Sequence, residues 1–331
     1  MKQVRIAQIG INRYSHATGI FPTLKKLKDD YEIAGYVLVE NEEELFPDLI
    51  DRYEGFPRLT LEEVLEDPTI VAVTIETEEI HLTKYALLAA EHGKHIHMEK
   101  PGSQSLADFE KLIETVRESG KVFHIGYMYR YNPMITELQE QIRGGELGKI
   151  ISVDAEMSCL HEKALREWLG VMKGGMLYFL GCHLIDLVYR IQGAPLEVSP
   201  LSRSTELDGV ESEDFGFAVM TYQNGVSTVK AIDVEKGGFI RRQLVVVGSE
   251  KTVEIRPLEE FGEKLLYTTR TDYDTNGWDD GGIPYSSELF DRYKGMMSAF
   301  ASYVRGEKKN PYPLDYELNL YRLILKACGV I

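Results

Sequence analysis

The chain has 331 residues, about the length of two domains, and 44% of them are hydrophobic, enough for sizeable cores. Its 37 basic and 53 acidic residues give a net charge of −16, which repels phosphate backbones and argues against nucleic-acid partners. No uninterrupted apolar run is long enough to span a membrane, so no membrane partner is expected.

Residues 4–9 read as a buried strand with no apolar leader before it, so no secretory signal is expected. A turn at 10–16 leads into helical spacing of Phe21, Leu24 and Leu27. A second strand at 33–39 ends near Glu40. Thr60 and Glu63 make a capping box for a helix carrying Val64 and Leu65. A third strand at 70–75 precedes a helix at 80–91, which Gly93 closes. Residues 94–98 form a short buried strand that stops before Pro101, which has no N–H for a ladder, and Gly102. Ser105 caps a helix with Phe109, Leu112, Ile113 and Val116 on one stripe, Gly120 ends it, and 122–125 is one more strand. This alternation predicts a doubly wound parallel sheet in a domain over residues 1–125.

The pattern changes in residues 126–331. Pro133 opens a helix that Gly144-Gly145 stops, and 150–156 is a strand. One long helix is expected over 175–191. Strands follow at 215–222, 226–234, 244–247, 252–255 and 265–268, with Asn224-Gly225 as a hairpin turn between the first two. This half reads as α/β with a largely antiparallel sheet. The glycine- and aspartate-rich stretch 272–285 reads as a loop, and helices at 289–305 and 315–327 finish the chain.

Several stretches carry chemistry. Gly10-x-Asn12-x-x-Ser15 sits between a strand and a helix, the context of a dinucleotide phosphate loop, but keeps only the first glycine. Asn12 tolerates positive φ better than most residues, and Ser15 is small. Alternatively the stretch is a plain strand-to-helix turn. Glu40, with Glu42 to Glu44, suits ribose hydroxyls and repels a 2′-phosphate, which favours NAD over NADP; the same carboxylates also suit a solvated helix N-terminus. Glu99 and Lys100 stand at the carboxyl end of a parallel strand, where such sheets bind ligands, or they are solvated turn residues. His183 and Asp186, three apart on one helix, can be neighbours, and a histidine suits taking a proton from an alcohol. The other reading is a satisfied helix histidine. His92, His95 and His97 offer too few ligands, so no metal centre is expected. Trp168, Tyr127, Tyr129 and Tyr131 suit either a pocket lining or a core.

Together these residues resemble the Gfo/Idh/MocA oxidoreductases, over nearly the whole chain. The most specific piece is Ala89-Ala90-Glu91-His92-Gly93-Lys94-His95 leading into Glu99-Lys100-Pro101. Tyr129-Arg130-Tyr131-Asn132-Pro133 is similar to the family's entry into its second domain, and Gly174-Gly175 through Gly181-Cys182-His183-Leu184-Ile185-Asp186 to its catalytic helix. The resemblance implies a Rossmann domain followed by an α/β domain with an open, largely antiparallel sheet that mediates homodimers or homotetramers. It implies NAD or NADP held by Gly10, Ile11, Asn12, Arg13, Glu40, Thr77, His81, Glu99, Lys100, Pro101 and Arg130. A sugar, polyol or related hydroxyl substrate would meet Tyr127, Trp168 and His183, with Lys100, His183 and Asp186 as the catalytic group.

Three positions depart from the family pattern: the aspartate four residues before the catalytic histidine is Phe179, the glycine loop is reduced to Gly10, and Thr77-Glu78 replaces Pro-Asn. A catalytically silent relative that senses a nucleotide or sugar is therefore a second reading, and an altered chemistry such as imine reduction a third. Cys159, Cys182 and Cys328 are an odd number with no paired framework, which fits a reducing cytosol.

Overall fold

The structure, a computed structural model, describes residues 2–331 apart from 276, 277, 279 and 280. Five short strands make the first sheet: β1 (Val4–Ile9), β2 (Tyr31–Val37), β3 (Ala72–Ile75), β4 (His95–Met98) and β5 (Phe123–Ile125). They lie in the order β2-β1-β3-β4-β5, all parallel. β3 is buried throughout and β1 and β4 nearly so, as expected when helices cover both faces of a parallel sheet. The strand order reverses beside β1, and that reversal opens a crevice at the carboxyl ends of the strands. Thr60 caps the helix Leu61–Glu66 through the full reciprocal box, and Ser105 caps Leu106–Ser119.

The second sheet contains β6 (Ile150–Glu156), β7 (Glu197–Pro200), β8 (Phe215–Tyr222), β9 (Gly225–Ile232), β10 (Gln243–Gly248) and β11 (Thr252–Ile255). After a small ladder of β12 (Glu260–Phe261) and β13 (Leu266–Tyr267), β14 (Thr269–Tyr273) and β15 (Tyr285–Ser286) extend it. Its order is β15-β14-β11-β10-β6-β9-β8-β7, antiparallel except for the β6–β9 pair. β8 alternates buried and half-buried residues, so one face of the sheet packs into a core.

Several expectations shift. The loop expected at 272–285 is bounded by β14 and β15, and part of it lies outside the described residues. β7 went unread because its four residues are at best half-buried and carry no alternation. The hairpin turn falls on Gln223 and Asn224, since Tyr222 already pairs with Gly225. Gly225 is a glycine for another reason: a Cβ there would run into the Ile151 carbonyl of the neighbouring strand. The helix expected over 175–191 splits into a π-helical turn, Leu177–Gly181, and an α-helix, Cys182–Gln192. Gly181 leaves room for Leu177 in that wide turn, because an added Cβ would lie 2.6 Å from Leu177 Cδ1.

The chain forms two compact units: Met1–Tyr127 with Tyr293–Asn319, and Met128–Arg292 with Leu320–Ile331. The first unit is thus closed by a segment from far along the chain. Within it, Phe300 of the helix Lys294–Val304 stacks on His124 (5.4 Å between ring centroids, 9° between planes), and Tyr31 donates to the Met297 carbonyl at 2.5 Å. Asn310 Nδ2 donates to the Phe123 carbonyl at 2.9 Å. Among the described residues, no helix is long and apolar enough to cross a membrane.

Candidate active site

In the first unit, Gly10 leaves β1 with φ +89°, and its amide donates to the Val37 carbonyl (2.9 Å). A Cβ there would sit 2.7 Å from the Glu76 carbonyl oxygen and 2.8 Å from Thr77 Cγ2, so both conformation and space demand glycine. Asn12 N donates to the Glu76 carbonyl (3.1 Å), and Ser15 Oγ does the same (3.1 Å). Asn12 is not among the residues with positive φ. Its value to the loop is its side chain, whose Oδ1 accepts from Tyr14 N at 2.8 Å. Ile11 N donates to Glu42 Oε1 (3.0 Å), and Val39 N to the other oxygen (3.1 Å). Burial pushes the Glu42 carboxyl up to about 7 against the pull of those two amides. Of the four acidic residues suggested for ribose, Glu42 therefore ties loops together, and Glu43 pairs with Arg58 (2.7 Å).

Glu40 stands just beyond β2, held by Lys84 Nζ (2.6 Å) and Tyr85 Oη (2.7 Å), with His81 Nδ1 at 3.8 Å. The bond from Lys84, seconded by that from Tyr85, holds this carboxyl below the usual range, so it stays anionic. Arg13 is half-exposed and paired with Asp48 (2.5 Å).

Glu99 and Lys100 follow β4 and are not solvated: their side chains are 1% and 2% exposed. Lys100 Nζ lies 3.3 Å from Glu99 Oε1 and 4.0 Å from Glu79 Oε1, and His16 Nδ1 is 2.9 Å from Glu99 Oε2. Pro101 follows Lys100 through a cis bond. Burial pushes Glu99 up, but His16 and Lys100 outweigh it and hold it below the ordinary range. Glu76 and Glu79, wholly buried, go the other way. Burial, then the Glu99 charge, raises Glu76 strongly; burial raises Glu79 to about 8 although Lys100 opposes. Burial thus favours the neutral acid at Glu76 and Glu79, beside the Glu99–Lys100 ion pair. Sequence reading missed Glu76 and Glu79 as parts of a buried cluster. The available signal was their place within four residues of the end of a largely apolar strand, at the ligand-binding edge.

His97 and His124 are buried side by side, 2.8 Å between their Nδ1 atoms. Burial lowers His97 to about 4.

In the second unit, Arg130 and Asp186 form a buried ion pair, Nη2 at 2.8 Å from Oδ1 and Nε at 3.1 Å from Oδ2. His183, also buried, meets the Tyr129 ring edge-on at 5.7 Å, and Tyr129 Oη donates to Glu259 Oε2 (3.1 Å). Trp168 packs edge-on against Phe179 (5.3 Å, 84°), which fills the place of the family's aspartate with an apolar contact. Gly174 (φ +84°) fits against Cys328, and Gly175 (φ +40°) against Glu213; these two glycines set the start of the π-helical turn. A cleft of about 750 Å³ is lined by Glu167, Met172, Lys173, Val210, Glu211 and Glu213 among others; none of the residues singled out by sequence lines it.

Residues 4–127 match the family described as "Oxidoreductase family, NAD-binding Rossmann fold", and residues 135–254 match the "GFO/IDH/MocA C-terminal domain". The chain is 34% identical over 152 residues to a scyllo-inositol 2-dehydrogenase (NAD(+)) of Bacillus subtilis, a match covering 45% of this chain and 43% of that enzyme. It therefore spans less than half of that relative. A myo-inositol 2-dehydrogenase of Thermotoga maritima is 29% identical, over 76% of this chain and 73% of its own. Among solved structures, the aldose-aldose oxidoreductase of Caulobacter crescentus complexed with glycerol superposes with a TM-score of 0.79 at 20% identity, covering 99% of this chain and 98% of that one. At that identity the likeness speaks for the fold alone.

Proposed function

The chain belongs to the Gfo/Idh/MocA oxidoreductase family, and from that membership we propose that it is a nicotinamide-dependent dehydrogenase of a sugar, an inositol-like polyol or a related hydroxyl compound. The observation that carries this reading is the buried Glu99–Lys100 pair at the carboxyl end of β4, in the sheet whose β1 leads into the Gly10 turn. An ammonium kept in a dry, charge-balanced setting suits an oxygen that gains negative charge as its proton leaves. Relatives with inositol and glucoside dehydrogenase names support the substrate class.

The residues fit a dinucleotide: the glycine turn brings backbone close to the end of β3, and an anionic carboxylate stands past β2. Gly10, Ile11, Asn12 and Arg13 would hold the pyrophosphate. Glu40 would take the ribose hydroxyls, and its charge favours NAD over NADP. Thr77, His81, Glu99, Pro101 and Arg130 complete the proposed cofactor set. When bound, the nicotinamide supplies the acceptor for the carbon-bound hydrogen and its electron pair. Lys100 stabilises the reacting oxygen, and His183 takes its proton during oxidation and returns it during reduction. Asp186, bonded to Arg130, fixes the helix that carries His183. Tyr127 and Trp168 bound the substrate.

Calorimetric titration with NAD and NADP, followed by a polyol and sugar screen on reduced-cofactor absorbance, tests the proposal. We expect tighter NAD binding, turnover, and a fall in kcat of roughly 10²-fold or more in Lys100→Ala. Failure of both nucleotides to bind would overturn it.

A homodimer or homotetramer is supported by apolar side chains left exposed on and beside the second sheet, among them Ile151, Leu196, Leu201 and Val226. A cytosolic location is supported by three buried cysteines that form no disulfide.

A further inference from the structure

Just past the ends of β6 and β9, two parallel neighbours, the backbone continues pairing: Cys159 N donates to the Ile232 carbonyl (2.9 Å), and His161 N to the Asp233 carbonyl (3.0 Å). Cys159 and His161 are two apart on an extended segment, so their side chains share a face, and Asp233 lies directly across from them. Cys159 Sγ is 3.3 Å from His161 Nδ1, 3.6 Å from its Nε2 and 3.6 Å from Asp233 Oδ1; His161 Nδ1 also contacts Asp233 Oδ1. All three donor atoms fall within 4.8 Å of one another. Asp233 is wholly buried, yet its Oδ2 has no hydrogen-bond partner among the described residues. A bare carboxylate oxygen in such a place costs free energy unless something outside the protein binds it.

We propose that Cys159, His161 and Asp233 form a binding site for a divalent cation of borderline softness, with Zn²⁺ the best fit. Zinc takes sulfur at about 2.3 Å and nitrogen or oxygen at about 2.0–2.2 Å, so the sulfur-to-nitrogen or sulfur-to-oxygen edge of a tetrahedral site is about 3.5 Å. The three sulfur distances bracket that edge. A thiolate and an imidazole in the set select against Mg²⁺ and Ca²⁺, which prefer oxygen throughout. On binding, the Cys159 thiol releases its proton to solvent, and the metal replaces the His161–Asp233 hydrogen bond. Asp233 then has a partner for charge that burial otherwise penalises. Three protein ligands leave a fourth position for water, and His161, 31% exposed, marks the side from which an ion enters. Sequence gave no hint of this set because Asp233 stands far along the chain from the Cys-x-His pair. The site does not depend on the dehydrogenase reading, and its readout needs no turnover.

The test uses the full chain, stripped with a chelator and titrated with Co²⁺ and then Zn²⁺. One Co²⁺ per chain, a thiolate-to-metal charge-transfer band, and its displacement by Zn²⁺ are expected. Cys159→Ser abolishes the band, and Asp233→Asn weakens Zn²⁺ binding at least 10-fold. Because Cys159 and Asp233 are buried and their variants could misfold, His161→Ala, at a partly exposed position, gives an independent check with the same 10-fold loss. Absence of the band in the wild-type chain, or Zn²⁺ affinity unchanged in His161→Ala, overturns the proposal.

Discussion

Glu76, Glu79 and Glu99 crowd the end of the parallel sheet with Lys100 among them, and the way they share charge has a measurable consequence. Burial raises Glu42 to about 7 and Glu79 to about 8, and raises Glu76 as well. A carboxyl whose folded pKa lies above its unfolded value of 4.5 keeps its proton longer when folded, so stability falls as pH climbs from that value to the folded one. His95 and His97, lowered to about 4 by burial, act oppositely: stability rises with pH between about 4 and their ordinary 6.5. Above that the histidines are neutral in both states and the carboxyls alone decide. Tm is therefore expected to drop from pH 6.5 to 8.5, the loss being on the order of a few kcal/mol. Glu79→Gln, which cannot ionise, should flatten the slope; thermal melts at both pH values check it, and a level wild-type Tm would contradict it. The residue scale is also where sequence was least legible. Acidic side chains after a strand look solvated, and only the packed fold reveals that these are not. The fold likewise gives Asn12 its role as a side-chain cap, which a φ preference did not foretell.

Caps and strands were mostly readable as elements, because each rests on local chemistry. The Thr60–Glu63 box, the Ser105 cap and the runs that became β1, β6, β8 and β11 all follow from neighbours in sequence. The π-helical turn at Leu177–Gly181 was not readable, because its apolar residues also satisfy an ordinary helix. What fixes it is contact with distant parts of the chain, and Gly174 is the sharpest case. Its φ is +84°, and Gly120, the left-handed cap of the helix Leu106–Ser119, shares the positive range at +63° in different surroundings. A Cβ on Gly120 meets nothing within 4 Å, whereas one on Gly174 would sit 2.7 Å from Cys328 Sγ. Gly120→Ala should therefore cost about 1 kcal/mol, the backbone penalty alone. Gly174→Ala should cost about 2–4 kcal/mol, because overpacking adds to it. Denaturant melts of the two variants compare them directly; equal losses would mean that the Cys328 contact relaxes freely.

At the scale of the whole molecule, the class of each sheet was legible from the switch between strand–helix alternation and runs of strands. The membership of the units was not, because it depends on which distant segments meet. The helix Lys294–Val304 completes the first unit by covering His97 and His124 with Phe300. A fragment ending at Tyr127 lacks that cover, and we expect it to bind a dye for exposed apolar surface and to melt without a cooperative transition. Adding residues 293–319 through a flexible linker should restore cooperativity, which calorimetry would register. The same interrupted order also governs how the protein is born. A ribosome adding about 5–20 residues per second delivers the five strands of the first sheet, then spends roughly ten to thirty seconds on residues 128–292 before the closing helix emerges. Through that interval the nascent sheet waits with an uncovered apolar flank, the period in which a chaperone has most to offer it.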